Sequence, residues 1–179
     1  MLTIVIPGEM RGVRPLPPVD RLRSRLAYCP TTGVLRWRHT RPGPKSRSDD
    51  AGCVKPDGYR YVRFEGGNYL AHRLIWLMMT GDEPGRFIDH INGEPSDNRW
   101  ANLRLASHAE NMRNSRMQRN NTSGFKGVRY DRARQRWIAE IKKDGRTIRL
   151  GRFGTAEAAG AARAAAAAEL HGEFARSPA

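Results

Sequence analysis

Asp89 and His90 are adjacent, Asn102 follows His90 by twelve residues, and Asn111 follows Asn102 by nine. A carboxylate and an amide oxygen are hard donors of the kind that magnesium takes, few at a time, while keeping positions for water and phosphate. Histidine titrates near neutral pH and suits the drawing of a proton from water. Phosphodiester cleavage needs an activated water, neutralisation of developing charge and a stabilised leaving oxygen. A divalent ion beside a histidine covers all three. Adjacent residues of a strand point to opposite faces, so Asp89 and His90 can address an ion and a water separately if the strand ends there. Turn chemistry is the plain reading for the other residues of this type. Asn98 is read as a loop residue, His108 as a solvated first-turn histidine, His72 as structural, and His171 is assigned no chemistry.

The flanking sequence must position these groups. Residues 86–89 read as a short strand, 92–98 as a loop of turn formers, 102–105 as a second strand, and Ser107 opens a helix with Glu110 three residues on, a capping box. The order is strand, loop, strand, helix. Upstream, Asp20 is the expected cap of a short helix and residues 34–38 a strand. Asp57-Gly58 and Gly66-Gly67 are hairpin signals around an alternating strand. Residues 71–79 are helical, with Leu74, Ile75 and Met78 on a buried face. After a polar stretch the texture changes. "GFKGVRYD", "RQRWIAEIKK" and "RTIRLGRFG" alternate as three strands, with Asp144-Gly145 as a tight turn. An alanine-rich helix follows, with Thr155 as its cap and Gly172 at its end.

The 179 residues carry 32 Lys and Arg against 18 Asp and Glu, a formal charge of +14. That field attracts polyanions and makes nucleic acid the first partner to consider. No apolar run approaches the length that spans a bilayer, and the opening MLTIVIPGEMR lacks the pattern of a secretory signal, so no membrane partner is expected. Cys29 and Cys53 form no CxxC pair and read as reduced thiols of a cell interior rather than a zinc site.

The markers "DH", "NG", "DNRWANLR" and "AEN", with the lead-in "YLAHRLIW", resemble the ββα-metal (His-Me finger) motif of HNH homing endonucleases, in the His-Asn-Asn form of phage and intron enzymes. The resemblance covers residues 20–116. It implies that Asp89 and Asn111 hold one divalent ion, magnesium or manganese, that His90 activates water, and that Asn102 holds the two strands and orients the histidine. Asn111 stands where many members have histidine. The implied reaction is DNA hydrolysis to a 5′-phosphate and a 3′-hydroxyl.

Residues 112–152 hold thirteen Lys or Arg against three acids, which predicts phosphate contacts and salt-dependent binding. Arg129, Arg134, Arg136, Trp137 and Arg149 fall on or beside neighbouring strands, and such a sheet can enter a major groove, where arginine reads guanine. "SGFKGVRYD", "RWIAEI", "RLGRF" and "TAEAAGAARAAAAAELHG" resemble the APETALA/ethylene-response-factor DNA-binding domain over residues 123–175. By position the resemblance assigns DNA contacts to Lys126, Arg129, Trp137, Lys142 and Arg149. Lys126 and Lys142 replace frequent arginines, and Arg149 replaces an aromatic residue.

The expected fold is therefore α+β: an extension (1–18), an HNH nuclease domain (19–116), a linker (117–122), a three-stranded antiparallel sheet packed on one helix (123–175), and a tail (176–179). The expected function is that of a metal-dependent DNA endonuclease with a duplex-binding sheet. It would be monomeric, of phage origin, and located in the host cell interior on the nucleoid. A non-catalytic DNA-binding regulator is the alternative. An RNA binder ranks third, because the sheet lacks clustered exposed aromatics.

Overall fold

The computed structural model describes residues 15–39, 49–114, 117, 121–143 and 145–172. The expected extension up to residue 14, most of the loop before Asp49, half of the linker, Asp144, residues 173–175 and the tail lie outside the described residues. The chain divides into two compact units, with the break between His108 and Ala109.

In the first unit α1 (Val19–Arg25) leads into β1 (Leu26–Tyr28), which pairs antiparallel with β2 (Leu35–Trp37). The expected cap differs. The helix starts one residue before Asp20, with Pro18 at the N-cap and no side-chain cap. Asp20 therefore sits inside the first turn, where its charge suits the helix dipole. Next come β3 (Cys53–Val54), β4 (Arg60–Phe64) and β5 (Gly67–Leu70), a three-stranded antiparallel sheet, and then α2 (Ala71–Thr80). Phe64 pairs with Gly67, so the turn is Glu65-Gly66, both at positive φ. That backbone matches the twist of a two-residue hairpin. Leu22, Leu26, Val62, Phe64, Leu74 and Ile75 are fully buried together.

β6 (Phe87–His90) pairs antiparallel with β7 (Leu103–Ala106). Asn102 belongs to a 3-10 turn (Trp100–Asn102) that feeds β7 rather than to the strand itself. α3 (His108–Asn114) follows directly after Ser107, so strand, loop, strand and helix occur in the expected order. The break between units falls at the start of α3, ahead of the expected linker. Within the second unit, Lys126 donates from Nζ to the carbonyls of Arg113 and Met112.

In the second unit β8 (Val128–Asp131), β9 (Arg136–Lys143) and β10 (Arg146–Phe153) form an antiparallel meander with β9 central, and α4 (Ala156–His171) packs on it. Lys143 pairs with Arg146. Thr155 Oγ1 accepts from the Ala158 amide, as its sequence position predicts. The alanine run has a steric reason, since small residues let α4 approach the sheet. A Cβ on Gly160 would lie 2.4 Å from the Phe125 ring. Gly160→Ala, which by helix propensity alone should stabilise by about 1 kcal/mol, is therefore expected to destabilise by about 1–2 kcal/mol through overpacking. Thermal unfolding of the two proteins compares them directly.

Candidate functional site

His90 ends β6 and is almost fully buried. Its ring lies edge-on to His72 of α2, with centroids 5.1 Å apart, and 6.0 Å from the ring of Tyr59. Its Nε2 is 3.2 Å from Asn98 Oδ1. The Asn98 amide is oriented by its own Nδ2, which donates to the Ser96 carbonyl, so the oxygen faces the ring. An oxygen there can only accept, which places the proton on Nε2 and the lone pair on Nδ1. That is the tautomer of a general base. Burial lowers the His90 pKa from its ordinary value, and the Asn98 hydrogen bond and Asp89 oppose only part of that fall. The imidazole is thus neutral near pH 7.

Asn98, expected as a loop residue, is the asparagine hydrogen-bonded to His90 Nε2; Asn102 was the one expected to orient that ring. Asn98 is 2 % exposed, and its backbone oxygen accepts from the Tyr28 hydroxyl at 2.8 Å. The β1–β2 turn presses on the same segment. The Trp100 amide donates to the Pro30 carbonyl, and a Cβ on Gly33, at φ +74°, would lie 2.4 Å from the Arg99 nitrogen. Asn102 instead ties the loop shut. Its Oδ1 accepts from the Asn92 amide, and its Nδ2 donates to Asn92 Oδ1 and to the Asp97 carbonyl. Asp97 binds Asn92 and Arg99, and the Arg99 hydrogen bonds chiefly hold its carboxyl down at about 2. Turn chemistry and site chemistry are therefore both present, on different asparagines.

Asp89 is buried and directly opposite Arg104 across the β6–β7 pair. Arg104 Nε and Nη2 both donate to Asp89 Oδ2, at 2.9 and 2.8 Å. The sequence reading passed over Arg104, although its place opposite Asp89 follows once Phe87 is paired with Ala106. Phe87 and Asp89 share a strand face by alternation, and the ring of His108, the first residue of α3, lies 5.5 Å from Phe87. Asn111 is half-buried on α3.

The donors fit a hard divalent ion. A carboxylate offers about four lone-pair positions, and Arg104 donates to one oxygen of Asp89, Oδ2, from both Nε and Nη2. Among the described residues no group of three or more His, Cys, Asp or Glu is gathered for a metal. An ion at Asp89 would complete its shell with amide oxygen, water and phosphate, as magnesium does.

In the second unit the register sorts the basic residues. Arg129 and Arg152 pair with Ile138, Asp131 with Arg136, Arg149 with Glu140, and Thr147 with Lys142. These residues share the sheet face away from α4. Glu140 lies between Arg129 and Arg149, 3.3 and 3.4 Å from them, and the Arg129 hydrogen bond is the main cause of its lowered pKa. Arg134, in the turn after β8, is exposed and near Asp131. Two expected contacts differ. Trp137 alternates with Ala139 toward α4 and packs in the helix-side cluster beside Tyr130. Lys126 lies outside the strands, on the carbonyls of α3. Arg152 was missed because strict alternation from Arg149 turns it inward. A bulge between Arg149 and Gly151 shifts β10 by one residue, sending Arg152 out and Phe153 into the core. Gly151 inside the strand was the available signal.

Comparison with known families matches residues 69–113 to the HNH endonuclease model and residues 123–170 to the AP2 domain model. The first unit thus holds most of a segment similar to HNH endonuclease domains, and the second a segment similar to AP2 domains. Protein 3.8 of Escherichia phage T7 is 37 % identical over 76 residues, 42 % of this chain and 63 % of that protein. A protein of Acanthamoeba polyphaga mimivirus named as an uncharacterized HNH endonuclease is 33 % identical over 116 residues, 64 % of this chain and 59 % of that protein. The chain thus spans about three fifths of the length of each relative. No solved structure matches.

Two outcomes test the HNH site. Burial holds the His72 pKa at about 3, helped by His90 and Arg73, against an ordinary 6.5. As pH falls below 6.5 the unfolded chain takes up a proton that the folded chain refuses, so stability is full above 6.5 and declines in acid. His72 alone should remove about 2 kcal/mol between pH 7 and pH 5. Urea unfolding at the two pH values should show that loss in the natural chain and correspondingly less in His72→Phe. Separately, Arg104→Ala strips a buried carboxylate of its cation and should cost about 3 kcal/mol in the same assay at pH 7.

Proposed function

We propose that this chain is a metal-dependent DNA endonuclease of the homing type, in which the HNH domain hydrolyses the phosphodiester and the AP2 domain holds the duplex. The observation that carries the reading is the His90–Asn98 pair: a buried, neutral imidazole with its proton fixed on Nε2, at the end of the strand that bears Asp89. Nδ1 then takes the proton of the attacking water. Asp89 and Asn111 would hold the ion, magnesium or manganese, which supplies charge neutralisation at the phosphate and leaving oxygen. Arg104, donating to Asp89 Oδ2 from both Nε and Nη2, fixes the direction of that carboxylate.

The outward face of the AP2 sheet supports the second half. Arg129, Arg136, Lys142, Arg149 and Arg152 project from three strands, a spacing suited to phosphates and guanine edges. Glu140 braces two of these arginines in fixed directions, which favours directed contacts over a diffuse cloud of charge.

Purified full-length protein with magnesium or manganese should nick or cut plasmid DNA. His90→Ala should bind duplex as the natural chain does and lose cleavage by about a hundredfold or more. Asn98→Ala should lose roughly tenfold to a hundredfold with binding kept, as expected for a group that orients another. Undiminished cutting by His90→Ala removes the assigned base. Duplex binding with no cleavage in any metal leaves the regulator reading standing instead.

A further inference from the structure

We propose that Lys126 is a positioning residue that clamps the last turn of α3, the helix bearing Asn111, to the AP2 domain. This rests on the nuclease reading above for its catalytic consequence, though not for the clamp itself. The resemblance assigned Lys126 to DNA, whereas its Nζ is 2.9 Å from the Arg113 carbonyl and 3.4 Å from that of Met112. Those oxygens belong to α3. A hydrogen bond donated by a charged ammonium is stronger than one between neutral groups, and here it ties the lysine to the helix backbone.

The lysine stands on a stiff base. Asn121 Oδ1 accepts from the amides of Ser123 and Gly124, and its Nδ2 donates to the Phe125 carbonyl. The Ser123 hydroxyl donates to the Val128 carbonyl. On one side of Lys126, the Phe125 ring lies against Gly160 of α4. On the other, Gly127 is at φ +74° with its carbonyl bonded to the Glu140 amide, and a Cβ there would meet the Glu140 oxygen at 2.4 Å. Glu140 is also the residue that braces Arg129 and Arg149. One strand position thus supports the outward arginines through its side chain and the clamp through its backbone. Arg113 is also close enough to His171, at the end of α4, to help push that imidazole toward its neutral form.

The clamp and a DNA contact make opposite predictions in the full-length chain. In Lys126→Met, amide hydrogen exchange in residues 109–114 should quicken about tenfold. Duplex affinity should stay within about twofold with its salt slope unchanged, and the cleavage kcat in magnesium should fall roughly tenfold, since small misplacements are costly. Lys126→Arg, which can still donate to carbonyls, should restore both exchange and kcat. A salt slope reduced by about one with exchange unaltered would make Lys126 a phosphate contact and overturn the proposal. Unaltered exchange and kcat would overturn it equally. A natural chain that cuts nothing overturns the nuclease reading and the catalytic half of this one, while the exchange result decides the clamp alone.

Discussion

The hydrogen bond between His90 and Asn98 is the contact on which the site depends. It is a single pairing in a buried place, and its direction sets the chemistry. With the Asn98 oxygen toward the ring, the imidazole must keep its proton on Nε2. With the amide reversed, the lone pair would be consumed by the protein. The loop that carries Asn98 is accordingly held from two sides. Asn102 closes it from the 3-10 turn ahead of β7, and the β1–β2 turn closes it from earlier in the sequence. Burial supplies the other half, since low polarity around His72 and His90 keeps both rings uncharged where water would charge them.

The two units use arginine in opposite ways. Arg104 is withdrawn from solvent and matched to one carboxylate, an arrangement that adds little net stability but is costly to break. Arg129 and Arg149 are exposed, and a single glutamate orients them without neutralising the face. The first use fixes a geometry. The second preserves a field while limiting the rotamers that long side chains must give up on binding.

Much of this was legible in the sequence because local signals agreed. The meander, its capped alanine helix and the strand–loop–strand–helix order all follow from alternation, turn residues and caps. What was not legible depended on distance or parity. Asn98 reads as a loop residue because its sequence neighbours form a loop, and nothing local reveals that Tyr28 and Pro30 pack on it. Asn102 was given the wrong partner for the same reason. Trp137 was assigned by its position in a motif, whereas its alternation with Ala139 turns it to the helix side, and the bulge between Arg149 and Gly151 decides which side Arg152 faces. Lys126 matched a motif position, and only the fold brings α3 within its reach.

Gly33 has an implication for the limits of the segment that carries His90 and Asn98. The matched family segment begins at residue 69, and by that criterion everything earlier is dispensable. Yet the turn at Gly33 fits so closely under Arg99 that no side chain can occupy it. A piece excised at residue 69, or grafted as a cassette onto another scaffold, would carry the histidine and its asparagine but leave behind the hairpin that keeps them aligned.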